Sequence, residues 1–139
     1  DSIECAWNGD VNLRIFYDKS LRDKSLNGMV KNTHDKILDA CKLESDSKLL
    51  GIDYNDEMIG FIILNDKLNW LYSFGVKYDF RKKEILKPIF DYIAKRLNHN
   101  FYTSMYEHNT RAIRWLKKCG MVEKPYQSPI KEIIFLKYE

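Results

Sequence analysis

Apolar positions change their spacing along the chain, and each change marks a different element. Residues 3–7 form a short apolar stretch with no clear period. Asp10 is placed to cap a helix carrying Val11, Leu13, Ile15 and Phe16. A second helix is expected over residues 27–43, with Val30, Ile37, Leu38 and Cys41 on one stripe. From residue 49 the pattern becomes that of strands. Residues 49–54 form one, a polar turn follows at Asn55-Asp56-Glu57, and residues 58–64 are almost continuously apolar, as in a strand covered on both faces. After a turn at Asn65-Asp66-Lys67, residues 68–76 give a third strand. Strict alternation there puts Trp70, Tyr72 and Phe74 on one face, and Leu71 and Ser73 on the other. The three strands predict an antiparallel meander.

Helical spacing returns with Ile85, Leu86, Ile89, Phe90, Ile93 and Leu97. Pro88 lacks the N–H that a helix interior needs, so it belongs in a first turn. The regular helix is therefore expected to begin near Ile85, with residues 77–84 as a loop. Residues 101–106 read as a strand. Asn109 and Thr110 are N-cap candidates for a helix bearing Ala112, Ile113, Leu116 and Cys119, and Gly120 stands where a C-terminal cap belongs. Val122 begins a short strand, residues 126–129 form a loop, and residues 133–138 alternate as a closing strand. The expected fold class is α/β, in the sense of an α+β mixed sheet. It has a mostly antiparallel centre and about four flanking helices, built as one domain over residues 1–139.

Composition narrows the function classes. The chain has 139 residues, 45% hydrophobic and 31% charged, which fits one globular domain and excludes intrinsic disorder. No apolar run reaches the roughly 20 residues of a membrane-spanning helix. No signal peptide is expected from the opening residues. The net charge of +3 is too mild to imply nucleic-acid binding by itself. Cys5, Cys41 and Cys119 form no CxxC motif, and His34, His99 and His108 are scattered. Free thiols, a cytoplasmic location and no metal site are the expectation.

Asn109-Thr110-Arg111-Ala112-Ile113-Arg114-Trp115-Leu116-Lys117-Lys118-Cys119-Gly120-Met121, in this order of elements, resembles the GNAT superfamily of N-acetyltransferases. Asn109, Ala112, Ile113, Trp115, Gly120 and Met121 match the family pattern for that helix. The resemblance spans residues 48–138, with the N-terminal helices matched by order only. It implies a GNAT-like fold in which the third long strand splays from its neighbour and acetyl-CoA, as cosubstrate, lies in the gap. It also implies that the pyrophosphate rests on backbone N–H groups leading into the next helix, an anion site favoured by the helix dipole. The cofactor-binding residues implied are Phe74, Val76, Arg81, Lys82, Lys83, Ile85 and Asn109.

The chain departs from the family in two places. The phosphate loop of the family reads Arg or Gln, two residues, Gly, one residue, Gly or Ala. Arg81 matches its first position, but Glu84 and Leu86 replace the glycines. Those replacements add bulk and a negative charge where a phosphate approaches. Leu116 stands where many members carry a tyrosine that protonates the leaving thiolate, and leucine transfers no proton. Tyr72, Tyr106 and Glu107 are substitutes by position, as is His108.

Three readings stay open. The first is acyl-CoA-dependent transfer of an acetyl group to an amine, with backbone N–H groups near residues 74–76 polarising the carbonyl. The second is a catalytically degenerate GNAT fold acting as a binding or structural protein. A weaker resemblance to small GNAT-like phage proteins would make it an internal virion component. The third is RNA binding through Arg111, Arg114, Lys117, Lys118 and Lys124. A loop with inward N–H groups favours the first, and a loop filled by Glu84 and Leu86 favours the second. The partners expected are an amine acceptor, a protein or RNA, and no membrane, for a monomer or homodimer.

Overall fold

The computed structural model describes residues 2–6, 12–18, 20–21, 26, 28–41, 47–124 and 133–138. Eight strands form one sheet in the order β1-β2-β3-β4-β5-β6-β8-β7. They are β1 (Ser2–Ala6), β2 (Leu13–Tyr17), β3 (Ser47–Tyr54), β4 (Glu57–Asn65), β5 (Trp70–Val76), β6 (Phe101–Tyr106), β7 (Met121–Lys124) and β8 (Ile133–Tyr138). The helices are α1 (Met29–Cys41), α2 (Lys83–Arg96) and α3 (Thr110–Lys118). Neighbours from β1 to β5 are antiparallel, β5 and β6 are parallel, and β6, β8 and β7 are antiparallel again. The parallel step needs a long crossover, which α2 supplies.

The expected helix around Leu13, Ile15 and Phe16 is instead strand β2. Leu13 and Ile15 are buried while Arg14 and Phe16 are half-buried, which is the period of two of a strand. Apolar residues at 11, 13 and 15 already alternate, and pairing with β3 and β1 converts that alternation into burial. The chain therefore has three described α-helices rather than about four. Asp10, Val11 and the loop at 126–129 lie outside the described residues. The second helix starts at Met29 and ends at Cys41, inside the expected 27–43.

The β3–β4 turn needs left-handed backbone at Asn55 and Asp56 (φ 52° and 64°). Asparagine and aspartate tolerate that region better than most residues. At the β4–β5 turn, the buried Asn65 side chain accepts a hydrogen bond from the Leu68 N–H at 3.0 Å. The meander continues beyond the three expected strands through β2 and β1.

Strict alternation fails on β5. Ile63 pairs with Ser73 and Leu64 with Leu71, so Tyr72 is an extra residue, a β-bulge. The bulge resets the phase. Leu71, Phe74 and Val76 face the larger core, which α2 and α3 cover through Ile85, Ile89, Phe90, Ile93 and Leu116. Tyr72 packs on the opposite face, with Leu21, Leu26, Val30, Phe61 and Ile63. Tyr72 and Phe74 thus lie on opposite faces, not on one.

Helix α2 begins at Lys83, two residues before the expected start, and Pro88 falls in its second turn. The ring removes only the bond to the Glu84 carbonyl four residues back, and the buried stripe from Ile85 to Ala94 holds the remaining turns on the sheet. At the far end, Arg96 donates to both Asp66 carboxylate oxygens at 3.0 Å and to the Tyr92 hydroxyl at 2.8 Å. This fork fastens α2 to the β4–β5 turn.

Candidate active site

Strands β5 and β6 pair only at Trp70 with Tyr102 and Leu71 with Thr103. The Tyr102 N–H donates to the Asn69 carbonyl at 2.9 Å, and the Thr103 hydroxyl donates to the Leu71 carbonyl at 2.8 Å. Beyond this hinge the two strands share no ladder, which leaves a wedge between residues 72–76 and 104–106. The bulge at Tyr72 lies where the separation begins, and bulges bend a strand and increase its twist. Lys77 donates its N–H to Ile59 of β4 at 2.8 Å. Successive residues of a strand turn their N–H groups to opposite sides, so those of Val76 and Phe74 turn toward the wedge.

The loop leaving β5 is tightly made. A 3-10 turn covers Tyr78–Phe80. The Arg81 Nε donates to the Val76 carbonyl at 2.7 Å, folding the loop back on the strand end. The N–H groups of Ile85 and Leu86 both bond to the Lys82 carbonyl, at 3.0 and 2.8 Å. The N–H groups of Lys83 and Glu84 come before the first helical bond and have no partner among the described residues. No side chain caps this helix start. Two donors without a described partner, the positive dipole end of a 14-residue helix and the exposed side chains of Arg81, Lys82 and Lys83 give this loop a local chemistry that suits an anion.

The two replaced glycines do not fill that loop. Glu84 is exposed, and Leu86 is half-buried against the larger core. Ile85 is buried, and its N–H is already taken, so it contributes to the loop by anchoring it. Asn109 occupies the N-cap position of α3, is exposed, and makes no side-chain cap bond. Gly120 follows α3 with φ 109° and lies against the Tyr138 ring.

Leu116 is 2% exposed and is a core residue. The neighbouring Trp115 packs on Phe74 and Phe90, with ring centres 6.1 and 5.6 Å away, and so lines the helix side of the wedge. At the end of β6, Tyr106 is exposed and stacks on His108 at 5.4 Å, with Glu107 exposed between them. Tyr72 lies on the other face of the sheet, so the structure does not gather the three residues singled out for proton transfer. Burial pushes the Cys119 thiol above its ordinary value; the Lys87 ammonium opposes that and the Asp91 carboxylate adds to it. Cys119 is therefore not a ready thiolate. Arg111, Arg114, Lys117 and Lys118 are exposed on α3, and Lys117 pairs with Glu123 at 3.1 Å.

One feature of the site has no signature in the sequence. On the α1 face of β5 lies a cavity of about 290 Å³, lined by Leu26, Met29, Phe61, Gly75, Val76, Lys77, Tyr78 and Arg81. It borders the same strand end as the wedge. A Cβ at Gly75 would fall 2.8 Å from the Phe61 ring, so the glycine leaves that ring room to lie over β5.

Residues 14–121 match the model of the acetyltransferase (GNAT) family. The chain belongs to this family. Solved structures agree at the level of fold. The Campylobacter jejuni N-acetyltransferase PseH in complex with acetyl coenzyme A has a TM-score of 0.58 at 11% identity, with 90% of this chain and 96% of that one covered. The Escherichia coli ribosomal-protein-S18-alanine N-acetyltransferase gives 0.55 at 14% identity, over 90% and 92%. An uncharacterised protein from Bacillus halodurans gives 0.65 at 11% identity, over 91% and 83%. Among curated proteins no sequence match is found. As a GNAT fold, the chain has its splayed strand pair at β5 and β6, and the loop of residues 77–82 leads from β5 into α2. No described helix is long and apolar enough to cross a membrane.

Proposed function

We propose that the protein is an N-acetyltransferase that moves the acetyl group of acetyl-CoA to an amine. The observation that carries this reading is the wedge between β5 and β6, which opens toward the free N–H groups at the start of α2 within a chain of the GNAT family. Acetyl-CoA supplies an activated carbonyl. The Lys83 and Glu84 N–H groups and the Lys82 and Lys83 side chains would hold its phosphates, with Arg81 folding the loop back on Val76 and Asn109 across the wedge. The N–H groups of Phe74 and Val76 would stabilise negative charge on the carbonyl oxygen.

The amine nitrogen bonds to the carbonyl carbon, the carbon–sulfur bond breaks, and sulfur keeps the electron pair. The amine then loses a proton to sulfur or to water. Holding two reactants together supplies much of the rate, so the reaction needs few side chains. Tyr106 and Glu107 at the mouth, and Tyr72 behind β5, are the candidates for moving the proton. Leu116 is excluded by chemistry. The activity would sit in the cytoplasm.

A degenerate or virion role draws no support from the fold or from the comparisons. The exposed Glu84 argues against a loop closed by its own side chains. Mass spectrometry of an amine library incubated with protein and acetyl-CoA tests the proposal. An acetylated product that depends on the protein is expected. Charge reversal by Lys82→Glu and Lys83→Glu should raise the KM for acetyl-CoA several-fold with little change in kcat. No product from any amine, at saturating acetyl-CoA, would contradict it.

A further inference from the structure

The cavity beside Gly75 and Val76 carries a second message, about the acceptor. Its walls are apolar or aromatic at Leu26, Met29, Phe61 and Tyr78. Its charged members are both cations, Lys77 and Arg81, and among the described residues no carboxylate lines it. A volume of about 290 Å³ sits at the small end of ligand sites, which run from roughly 300 to 1,000 Å³. The two cations are not equivalent. Arg81 is held by its bond to the Val76 carbonyl. Lys77 is about half exposed, and its partner is Glu57 at 3.7 Å, itself more than half exposed. Such a pair is weak and easily exchanged for a ligand group.

From this we infer that the acceptor is a small, largely apolar amine bearing a carboxylate, an amino-acid-like molecule, with Lys77 as the residue that selects the carboxylate. The inference rests on the acetyltransferase reading and names its substrate class. A polyamine or other multiply charged cation meets two like charges and no carboxylate among the described lining residues, and is disfavoured on electrostatic grounds. The same two cations favour the uncharged form of the acceptor amine, the form that attacks. That compensates in part for the lack of a carboxylate or imidazole base among the described residues that line it.

The test uses three probes at saturating acetyl-CoA: phenylalanine, phenethylamine (the same body without the carboxylate) and spermidine. Both kcat/KM and calorimetric affinity in the presence of CoA are measured, for wild type and for Lys77→Glu. The ratio of phenylalanine to phenethylamine is compared between the two proteins, which cancels the difference in amine basicity. Wild type should prefer phenylalanine over both others, and Lys77→Glu should lower the ratio roughly three- to tenfold. The variant should also gain on spermidine. Lys77 is exposed, so folding is not at stake, and Lys77→Gln should fall between the two. An unchanged ratio, a preference for spermidine in wild type, or binding of none of the three while acetyl-CoA binds would overturn this inference alone. Failure to bind acetyl-CoA would overturn it together with the reading beneath it.

Discussion

Glu84 carries a negative charge to the position where GNAT proteins place a glycine, yet its side chain is exposed and its N–H has no partner among the described residues. The loop thus keeps the donors, loses the freedom of close approach and gains a negative charge. Returning the glycine should show how much that freedom matters. Glu84→Gly is expected to tighten acetyl-CoA binding roughly two- to fivefold, because it removes a charge of the wrong sign from the positive end of α2. It should cost up to about 1 kcal/mol of stability, since glycine weakens a helix. Calorimetry and a thermal melt on one variant read both effects. Leu116 differs in kind. It is part of the packed core, and its loss of proton-transfer chemistry is complete rather than adjustable.

At the scale of elements, the β4–β5 pair sets the shape of the site. A Cβ on Gly60 would strike the carbonyl of Gly75 and reach 3.2 Å from Val76 Cα, all backbone atoms of β5. Gly60→Ala should therefore destabilise the fold by about 1–3 kcal/mol and weaken acetyl-CoA binding at the same time, as denaturant titration and calorimetry would register. The tie between α2 and the β4–β5 turn titrates. The hydrogen-bonded Arg96 guanidinium holds the Asp66 carboxyl below its ordinary 3.8, with burial opposing. A depressed carboxylate stabilises the fold above its unfolded value, and that contribution is lost as pH falls through the lowered one. Asp66→Asn should thus flatten the fall in melting temperature below pH 3.8, and leave a smaller difference from wild type there than at neutral pH. Much at this scale was legible in the sequence. The meander, β6, α3 with its Gly120 cap and the closing strand follow from apolar spacing and turn residues. What misled were places where spacing is ambiguous or pairing decides. Leu13 and Ile15 fit a strand as well as a short helix, until β3 lies beside them. The bulge at Tyr72 exists only because Ile63 faces two residues, which no one-strand pattern reveals. Pro88 suggested a later start for α2 because burial of Ile85 could not be weighed against one lost bond.

On the scale of the whole molecule, two crossover neighbours that pair for two residues and then part create both the wedge and the wall of the cavity behind it. The wedge was legible through the GNAT resemblance of the Asn109–Met121 segment. The cavity was not, because its residues come from separate elements: Leu26, α1, β4, β5 and the loop that follows. The proposed activity depends on one equilibrium, the seating of acetyl-CoA between β5 and β6. Isothermal titration of the purified protein with acetyl-CoA and with CoA measures it directly. Saturable binding of both in the micromolar range, weakened by Lys82→Glu and Lys83→Glu, is the result expected. No heat and no thermal stabilisation at millimolar acetyl-CoA would contradict the account and leave the GNAT fold here without its cosubstrate.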